Sequence, residues 1–157
     1  MPLSIASPAF THGSAIPARH TCQGDDLSPP LAFAGVPAGT RSLALIVDDP
    51  DAPDPAAPKM VYVHWVLYDL PPGTSGLAEG ISVAELPPGT REGLNDWDRT
   101  GYGGPCPPIG VHRYFHKLYA LDCELGNLGP LRKDGLLAAI DGHVLAQAVL
   151  MGTFVKV

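Results

Sequence analysis

The sequence has little positive charge and no cluster of basic residues. Its 157 residues include 10 Lys and Arg against 16 Asp and Glu, which gives a net charge of −6, and the basic residues are scattered along the chain. Binding to a nucleic-acid backbone depends on a basic patch, and binding to a membrane surface on a basic cluster or a basic amphipathic helix. We therefore expect neither nucleic acid nor a membrane surface as a general partner.

Long apolar runs and cysteine motifs are also missing. No stretch of about 18 residues is apolar throughout, which argues against a membrane span. The opening Met1-Pro2-Leu3-Ser4-Ile5-Ala6 has neither the basic nor the apolar part of a secretion signal. The three cysteines, Cys22, Cys106 and Cys123, form neither a CxxC motif nor an even set for disulfides. These absences predict a cytoplasmic protein with free thiols.

The common enzymatic signatures are absent as well. The chain contains no GxSxG, no GxxxxGK[ST], no GxGxxG after a strand and no HExxH. These motifs mark serine hydrolases, P-loop nucleotide sites, dinucleotide sites and zinc proteases. No cofactor is predicted, and no metal either, because the spacing of positions 49, 51, 64 and 112 is not diagnostic of a metal site.

Glycine and proline are abundant, with 18 of each, and 45% of the residues are hydrophobic. This composition indicates an ordered chain with many turns and with strands rather than helices. Apolar runs at 42–47, 60–70, 112–122 and about 148–156 predict strands, and 135–140 predicts a short helix. We expect one domain over residues 1–157, a mostly antiparallel β-sandwich with one or two short helices near the C-terminus.

Two carboxylates and two histidines stand at strand ends beside stiff turns. Asp49 and Asp51 flank Pro50, His64 lies in the run 60–70, and His112 follows the Gly/Pro-rich loop 93–110. Each has a structural interpretation, since Asp and Pro close ordinary turns and a strand histidine can be a core residue. Together, two imidazoles beside carboxylates can hold a small anion or a metal.

The loop before His112 adds two hypotheses. Gly104 and Pro105 let the backbone approach a ligand with N–H groups aimed inward. Cys106 lies six residues before His112, so a thiolate–imidazolium nucleophile pair is an alternative, although prolines next to it restrict its movement. Arg113 points to the face opposite His112 and is expected to pair with a carboxylate such as Asp51 or Asp96.

Three segments resemble the signatures of the phosphatidylethanolamine-binding protein family. They are LALIVDDPDAP at 43–53, VHW at 63–65 and GVHRY at 110–114. The segments at 16–30 and 101–108, and the end of the chain from Gly142 to Phe154, are similar to its bacterial and archaeal branch, often called Raf-kinase-inhibitor-like. The resemblance covers nearly the whole chain.

The resemblance implies a Greek-key β-sandwich whose small pocket takes phosphate-like or carboxylate anions or phospholipid head groups. The ligand-binding residues that it implies are Asp49, Ala52, His64, Gly104, Pro105, His112 and Tyr114. Tyr62 stands where animal members have Trp, and Cys106 where they have Pro. These two residues are expected on the pocket rim, with Asp51 and Arg113 bracing the loops.

Three functions follow as hypotheses. The first is a binding or regulatory protein without turnover, with a small anion or a protease or kinase as partner. The second is a small hydrolase that uses Cys106 with His112, or an activated water. The third is a stable scaffold with a vestigial pocket. The bacterial relatives also imply a homodimer.

Overall fold

The computed structural model describes residues 2–157, in which the chain forms eight strands and one α-helix. The strands are β1 (Ser4–Ala6), β2 (Leu31–Ala34), β3 (Ser42–Ala52), β4 (Met60–Leu70), β5 (Gly76–Leu77), β6 (Arg91–Glu92), β7 (His112–Leu121) and β8 (Val144–Phe154). The helix α1 spans Lys133–Ile140, and short 3₁₀ turns occur at Ala18–His20 and Val83–Glu85. No helix in this part of the chain is long and apolar enough to cross a membrane.

The strands form two antiparallel sheets. The larger has the order β6-β4-β3-β7-β8, and the smaller has the order β1-β2-β5. This architecture confirms the predicted antiparallel β-sandwich with a short helix near the C-terminus. The central strands β3 and β4 are apolar on both faces, as expected for strands that are covered on both sides.

The large sheet carries a core on each face. On one face Leu45, Leu67 and Leu118 pack in a cluster with Ile5 and Phe33 of the small sheet. The cluster on the other face joins sheet residues to α1 and consists of Ala44, Ile46, Val63, Val66, Tyr68, Tyr119, Leu121, Leu136 and Ile140. The sheet is therefore held between the small sheet and the helix.

An ion cluster also ties α1 to the sheet. The Nζ atoms of Lys117 and Lys133 lie 2.9 Å and 2.6 Å from the same Oδ2 atom of Asp48. Asp48 is buried, so two ammonium groups balance a carboxylate that would otherwise be costly to bury.

The boundaries of β3 bring the predicted site residues to one end of the sheet. The strand does not stop at 47 but continues to Ala52, and its register with β4 shifts between Asp49 and Ala52. Such bulges let a strand continue past a proline, which cannot donate to the ladder. Because neighbouring strands are antiparallel, the end of β3 meets the starts of β4 and β7.

Candidate functional site

A cavity of about 400 Å³ opens at this end of the large sheet. Strand residues form its floor, and the loops after β3 and before β7 form its walls. Its lining residues are Asp49, Ala52, Pro53, Met60, Tyr62, His64, Trp97, Cys106, Pro107, Pro108, His112 and Tyr114. Five of the seven predicted ligand-binding residues are among them, as are Tyr62 and Cys106 of the predicted rim.

Asp49 and His112 form a buried pair in this cavity. His112 Nδ1 lies 2.6 Å from Asp49 Oδ2. The other oxygen, Asp49 Oδ1, accepts a hydrogen bond of 2.7 Å from the backbone N–H of Asp51. One carboxylate oxygen thus closes a turn that spans Pro50 and the other pairs with an imidazole, so the structural interpretation of Asp49 applies, and the residue also lines the cavity.

The second nitrogen of His112 is also occupied. Nε2 lies 2.9 Å from the carbonyl oxygen of Ile109 and 3.1 Å from that of Pro53. Carbonyl oxygens only accept hydrogen bonds, so Nε2 carries a proton and donates it to them. A carboxylate on the other side requires a proton on Nδ1 as well, which makes the pair an imidazolium–carboxylate pair with no net charge.

His64 differs from His112 because only one of its two ring nitrogens is hydrogen-bonded within residues 2–157. Its Nδ1 donates a 2.7 Å hydrogen bond to the carbonyl of Gly103, and Nε2 has no hydrogen-bond partner among the described residues. Burial lowers the pKa of His64 below its ordinary value, against smaller opposing effects from the Gly103 carbonyl and from Asp49. At neutral pH, His64 therefore presents an unprotonated nitrogen to the cavity.

Aromatic side chains surround His64. The rings of Tyr62, Trp97 and Tyr114 lie edge-on to it, with centroids at 5.4, 5.1 and 5.2 Å. Burial, with a smaller effect from Asp49, raises the pKa of Tyr114 well above its ordinary value. Tyr114 thus keeps its hydroxyl proton and can act as a hydrogen-bond donor.

Strand alternation predicts that Arg113 pairs with a carboxylate such as Asp51 or Asp96 on the face opposite His112, and the structure shows Asp51 as the partner. Arg113 Nε and its terminal nitrogen donate to the two carboxylate oxygens of Asp51 at 2.9 and 2.8 Å, and the Arg113 backbone N–H adds a bond of 2.9 Å. These contacts lower the pKa of Asp51. Neither residue lines the cavity, so the pair holds the β3 turn against β7.

The expectation of free thiols is wrong for two of the three cysteines. Cys22 and Cys106 form a disulfide, with Cα atoms 5.4 Å apart and a sequence separation of 84, while Cys123 is free. Cys106 therefore holds no thiolate, and the proposed thiolate–imidazolium pair with His112 does not exist in this structure. The disulfide instead fastens the loop wall of the cavity to the segment near residue 22.

The predicted role of the Gly104 backbone is also wrong. Its N–H donates to Asp26 Oδ1 at 3.0 Å, and the carbonyl of Pro105 accepts a 3.1 Å bond from the N–H of Cys22. Neither Gly104 nor Pro105 lines the cavity. These two hydrogen bonds hold Gly104 and Pro105 against the segment 20–26. They do so because buried backbone N–H and C=O groups form hydrogen bonds with the segment that packs on them.

Five lining residues were not predicted, and they are Pro53, Met60, Trp97, Pro107 and Pro108. Trp97 is brought in by a turn in which Asn95 Oδ1 accepts the N–H of Trp97 at 2.9 Å and Asp96 Oδ2 accepts the N–H of Val63 at 2.7 Å. The one available signal was the run Asn95-Asp96-Trp97-Asp98 within a long loop, a place where functional residues concentrate.

Comparison with known proteins agrees with this architecture. A family model described as phosphatidylethanolamine-binding protein matches residues 6–155. A UPF0098 protein of Methanothermobacter thermautotrophicus is 46% identical, over 97% of this chain and 98% of that protein. The crystal structure of a phosphatidylethanolamine-binding protein homologue from Chlamydia trachomatis has a TM-score of 0.91 and 42% identity, and covers 99% of both chains.

A more distant structure shares the fold. It is a carboxypeptidase Y inhibitor complexed with its cognate proteinase, with a TM-score of 0.55 and 20% identity over 96% of this chain and 83% of that one. The family model and the relatives extend over almost the full length of the sequence. This chain belongs to the phosphatidylethanolamine-binding protein family.

Proposed function

We propose that the protein is a binding protein without turnover, and that its cavity takes a small tetrahedral oxyanion that carries a proton, such as hydrogen phosphate or a phosphomonoester. The observation that carries the proposal is the contrast between the two histidines. His112 is fully engaged with Asp49 and two carbonyls, whereas His64 keeps one nitrogen free toward the cavity.

The charge of Asp49 does not oppose this ligand. Its carboxylate is neutralised by the His112 imidazolium and accepts the Asp51 N–H. The unprotonated Nε2 of His64 would repel a bare anion, but it accepts a hydrogen bond from an anion that brings its own P–OH group. The Tyr114 hydroxyl, which stays protonated and interacts with Asp49, can turn its one proton toward another oxygen of the ligand.

The same contacts argue against the hydrolase alternative. A general base must reach the proton that it removes, but Nε2 of His112 points at the carbonyls of Ile109 and Pro53. The nearby sulfur of Cys106 is bonded to Cys22. An esterase and phosphatase panel checks this directly, because turnover that disappears in His112→Ala would support an enzyme and contradict the proposal.

Calorimetric titration at pH 7 tests the ligand class. Phosphate and sulfate have the same shape, but sulfate has no proton to donate, so we expect sulfate to bind about 10-fold more weakly, as for the loss of one charge-assisted hydrogen bond. Equal affinity would overturn the proposed role of the ligand proton. His143→Gln, at the far end of the sheet, is the matched control for His64→Gln and should leave phosphate binding unchanged.

Two further binding measurements distinguish a free phosphate compound from a phospholipid head group as the ligand. O-phosphoethanolamine is a monoester whose second pKa is about 6, so its phosphate carries a P–OH proton below about pH 6, where this titration is made, whereas the phosphodiester of phosphatidylethanolamine has none. We expect the monoester to bind and vesicles of phosphatidylethanolamine in phosphatidylcholine to bind no better than phosphatidylcholine alone. Stronger binding to the phosphatidylethanolamine vesicles would favour the lipid head group as the ligand.

A second proposal concerns a protein partner. Met60, Ile109 and Val111 are 47%, 58% and 53% exposed, and Met60 lines the cavity. Exposed apolar side chains around a pocket are typical of protein contacts. The shared fold with a carboxypeptidase Y inhibitor suggests a protease as the partner class by analogy, and the resemblance to the Raf-kinase-inhibitor-like branch suggests a kinase. An assay of carboxypeptidase Y inhibition tests this proposal: inhibition that is lost in Ile109→Asp would support it, and no inhibition by the parent protein would contradict a protease partner of this kind.

The homodimer and the cytoplasmic location remain predictions. Sedimentation velocity measures the first. The Cys22–Cys106 disulfide gives a test of the cytoplasmic location, because disulfides persist mainly in oxidising compartments and in the cytosol of hyperthermophiles. Alkylation of thiols in freshly lysed mesophilic cells should label three cysteines in a cytoplasmic protein, whereas labelling of Cys123 alone would indicate an oxidising compartment.

A further inference from the structure

A second cluster of chemically reactive side chains lies at the other end of the large sheet. Asp122 and Cys123 follow the end of β7, and His143 precedes the start of β8. A carboxylate oxygen, the Sγ atom and an imidazole nitrogen from these residues all lie within 4.8 Å of one another. His112 begins β7, so the length of this strand separates the cluster from the cavity.

The backbone holds these three residues in place. Asp122 N–H donates to the carbonyl of His143 at 3.0 Å, which pairs the two residues across the β7–β8 corner. Ser42 Oγ donates to the carbonyl of Cys123 at 2.6 Å. Gly142 has φ +82°, a conformation that favours glycine and that turns the chain from α1 back toward β8.

We propose that Asp122, Cys123 and His143 form a binding site for Zn²⁺. One sulfur, one nitrogen and one oxygen donor make up a mixed set that suits this borderline-soft ion. Ca²⁺ and Mg²⁺ prefer oxygen ligands alone, and a thiolate disfavours them. Three protein ligands leave a fourth position for water, as in open zinc sites.

Only modest rearrangement is needed to bind the ion. Bond lengths of about 2.0–2.3 Å place neighbouring donors of a tetrahedral zinc site roughly 3.3–3.7 Å apart. His143 Nδ1 now lies 2.8 Å from Asp122 Oδ1, and these side chains are 47% and 45% exposed. An exposed ion pair contributes little to stability, so its side chains can rotate to admit the ion beside the half-buried thiol of Cys123.

Titration with Co²⁺, a spectroscopic substitute for Zn²⁺, tests the site in the intact protein. All three cysteines of the sequence lie in the described part of the chain, and the Cys22–Cys106 disulfide leaves Cys123 as the one thiol. A thiolate-to-cobalt charge-transfer band therefore reports on Cys123 alone. We expect this band with one Co²⁺ per chain, and its loss when Zn²⁺ is added.

The variants distinguish a three-ligand site from an isolated thiol. His143→Gln and Asp122→Asn should each weaken Co²⁺ binding at least 10-fold, and Cys123→Ser should abolish the band. His12→Gln, a histidine outside the cluster, should leave the titration unchanged. No band at millimolar Co²⁺, or a band of unchanged affinity in both His143→Gln and Asp122→Asn, would overturn the proposal. Phosphate binding in the cavity should not respond to either variant.

Discussion

His112 Nδ1 lies 2.6 Å from Asp49 Oδ2, and only 1% and 4% of these two side chains are exposed. This contact joins the end of β3 to the start of β7. It also fixes His112 with both nitrogens occupied, so that the neighbouring His64 is the histidine that can respond to a ligand.

Removal of either member of this pair should destabilise the fold. Loss of one partner of a buried ion pair reduces stability by about 3–5 kcal/mol, because the remaining charge stays buried. We expect Asp49→Ala and His112→Ala each to lower the free energy of unfolding by about 3 kcal/mol or more in urea denaturation at pH 7. The double variant should lose less than the sum, and strictly additive losses would contradict the pairing.

The disulfide should stabilise both the fold and the cavity wall. A cross-link across 84 residues restricts the unfolded chain and contributes about 4 kcal/mol. We expect Cys22→Ala/Cys106→Ala to unfold at a lower temperature than the parent protein and to bind phosphate more weakly, because Cys106 belongs to the wall. Cys123→Ala is the matched control. An unchanged Tm after reduction of the parent protein would argue against this role.

Arg113 should brace the site without binding the ligand. The Arg113 side chain is half-exposed, and Asp51, although buried, keeps its bond from the Arg113 backbone N–H, so Arg113→Ala should lower stability by only about 1 kcal/mol. Arg113→Lys should be almost as damaging, since an ammonium cannot form both bonds. Phosphate affinity in calorimetry should change less than 3-fold, within roughly 0.6 kcal/mol. Abolished binding with unaltered stability would instead make Arg113 a ligand residue.

The protein should lose stability in mild acid because of His116. Burial lowers the pKa of this side chain from 6.5 to about 4, so between these values the unfolded chain takes up a proton that the folded chain excludes. Stability is therefore complete above about pH 6.5 and falls by about 3 kcal/mol as the pH drops toward 4. The Asp51 carboxyl, with its lowered pKa, adds a loss only at lower pH.

Urea denaturation from pH 4 to 7.5 measures this loss. His116→Gln should reduce the slope of stability against pH and leave the smaller part that comes from the lowered pKa of His64, whereas His143→Gln should leave the slope unchanged. A parallel slope in His116→Gln would show that other groups cause the acid sensitivity. One cooperative transition across the series would support the prediction of a single domain over residues 1–157.

Patterns within single segments predicted the fold well. The strand Met60–Leu70 has the predicted bounds because residues on both of its faces are apolar, and a strand covered on both sides requires that composition. Side-chain alternation after His112 predicted that Arg113 would pair with a carboxylate on the opposite face, but it left Asp51 and Asp96 both open as partners. The end of β3 was missed, since the bulge that carries the strand past Pro50 depends on its partner strand.

Features that depend on distant segments could not be read from the sequence. The Cys22–Cys106 disulfide joins loops 84 residues apart, and spacing alone does not define a pairing. The N–H of Gly104 meets Asp26 rather than the cavity, which only the packed loops reveal. Trp97 reaches His64 through a turn held by Asn95 and by the contact of Asp96 with β4.

The ionisation of His64 is the most direct indicator of how the cavity works. Without a ligand its pKa is below the ordinary 6.5 because the ring is buried, and a bound oxyanion should raise that pKa by stabilising the protonated ring or by sharing its own proton. Phosphate affinity should therefore fall as the pH rises from the free pKa of His64, which is below 6.5, through the higher pKa of His64 in the complex. Nuclear magnetic resonance of ¹⁵N-labelled histidine side chains follows this proton at each ring nitrogen.

With phosphate added, we expect the Nε2 signal of His64 to shift and its titration to move to higher pH, while the signals of His112 stay nearly constant. A His64 titration unaffected by saturating phosphate, or an affinity that stays flat from about pH 5 to 9, a range that spans any modest shift of an imidazole, would contradict the proposed binding site.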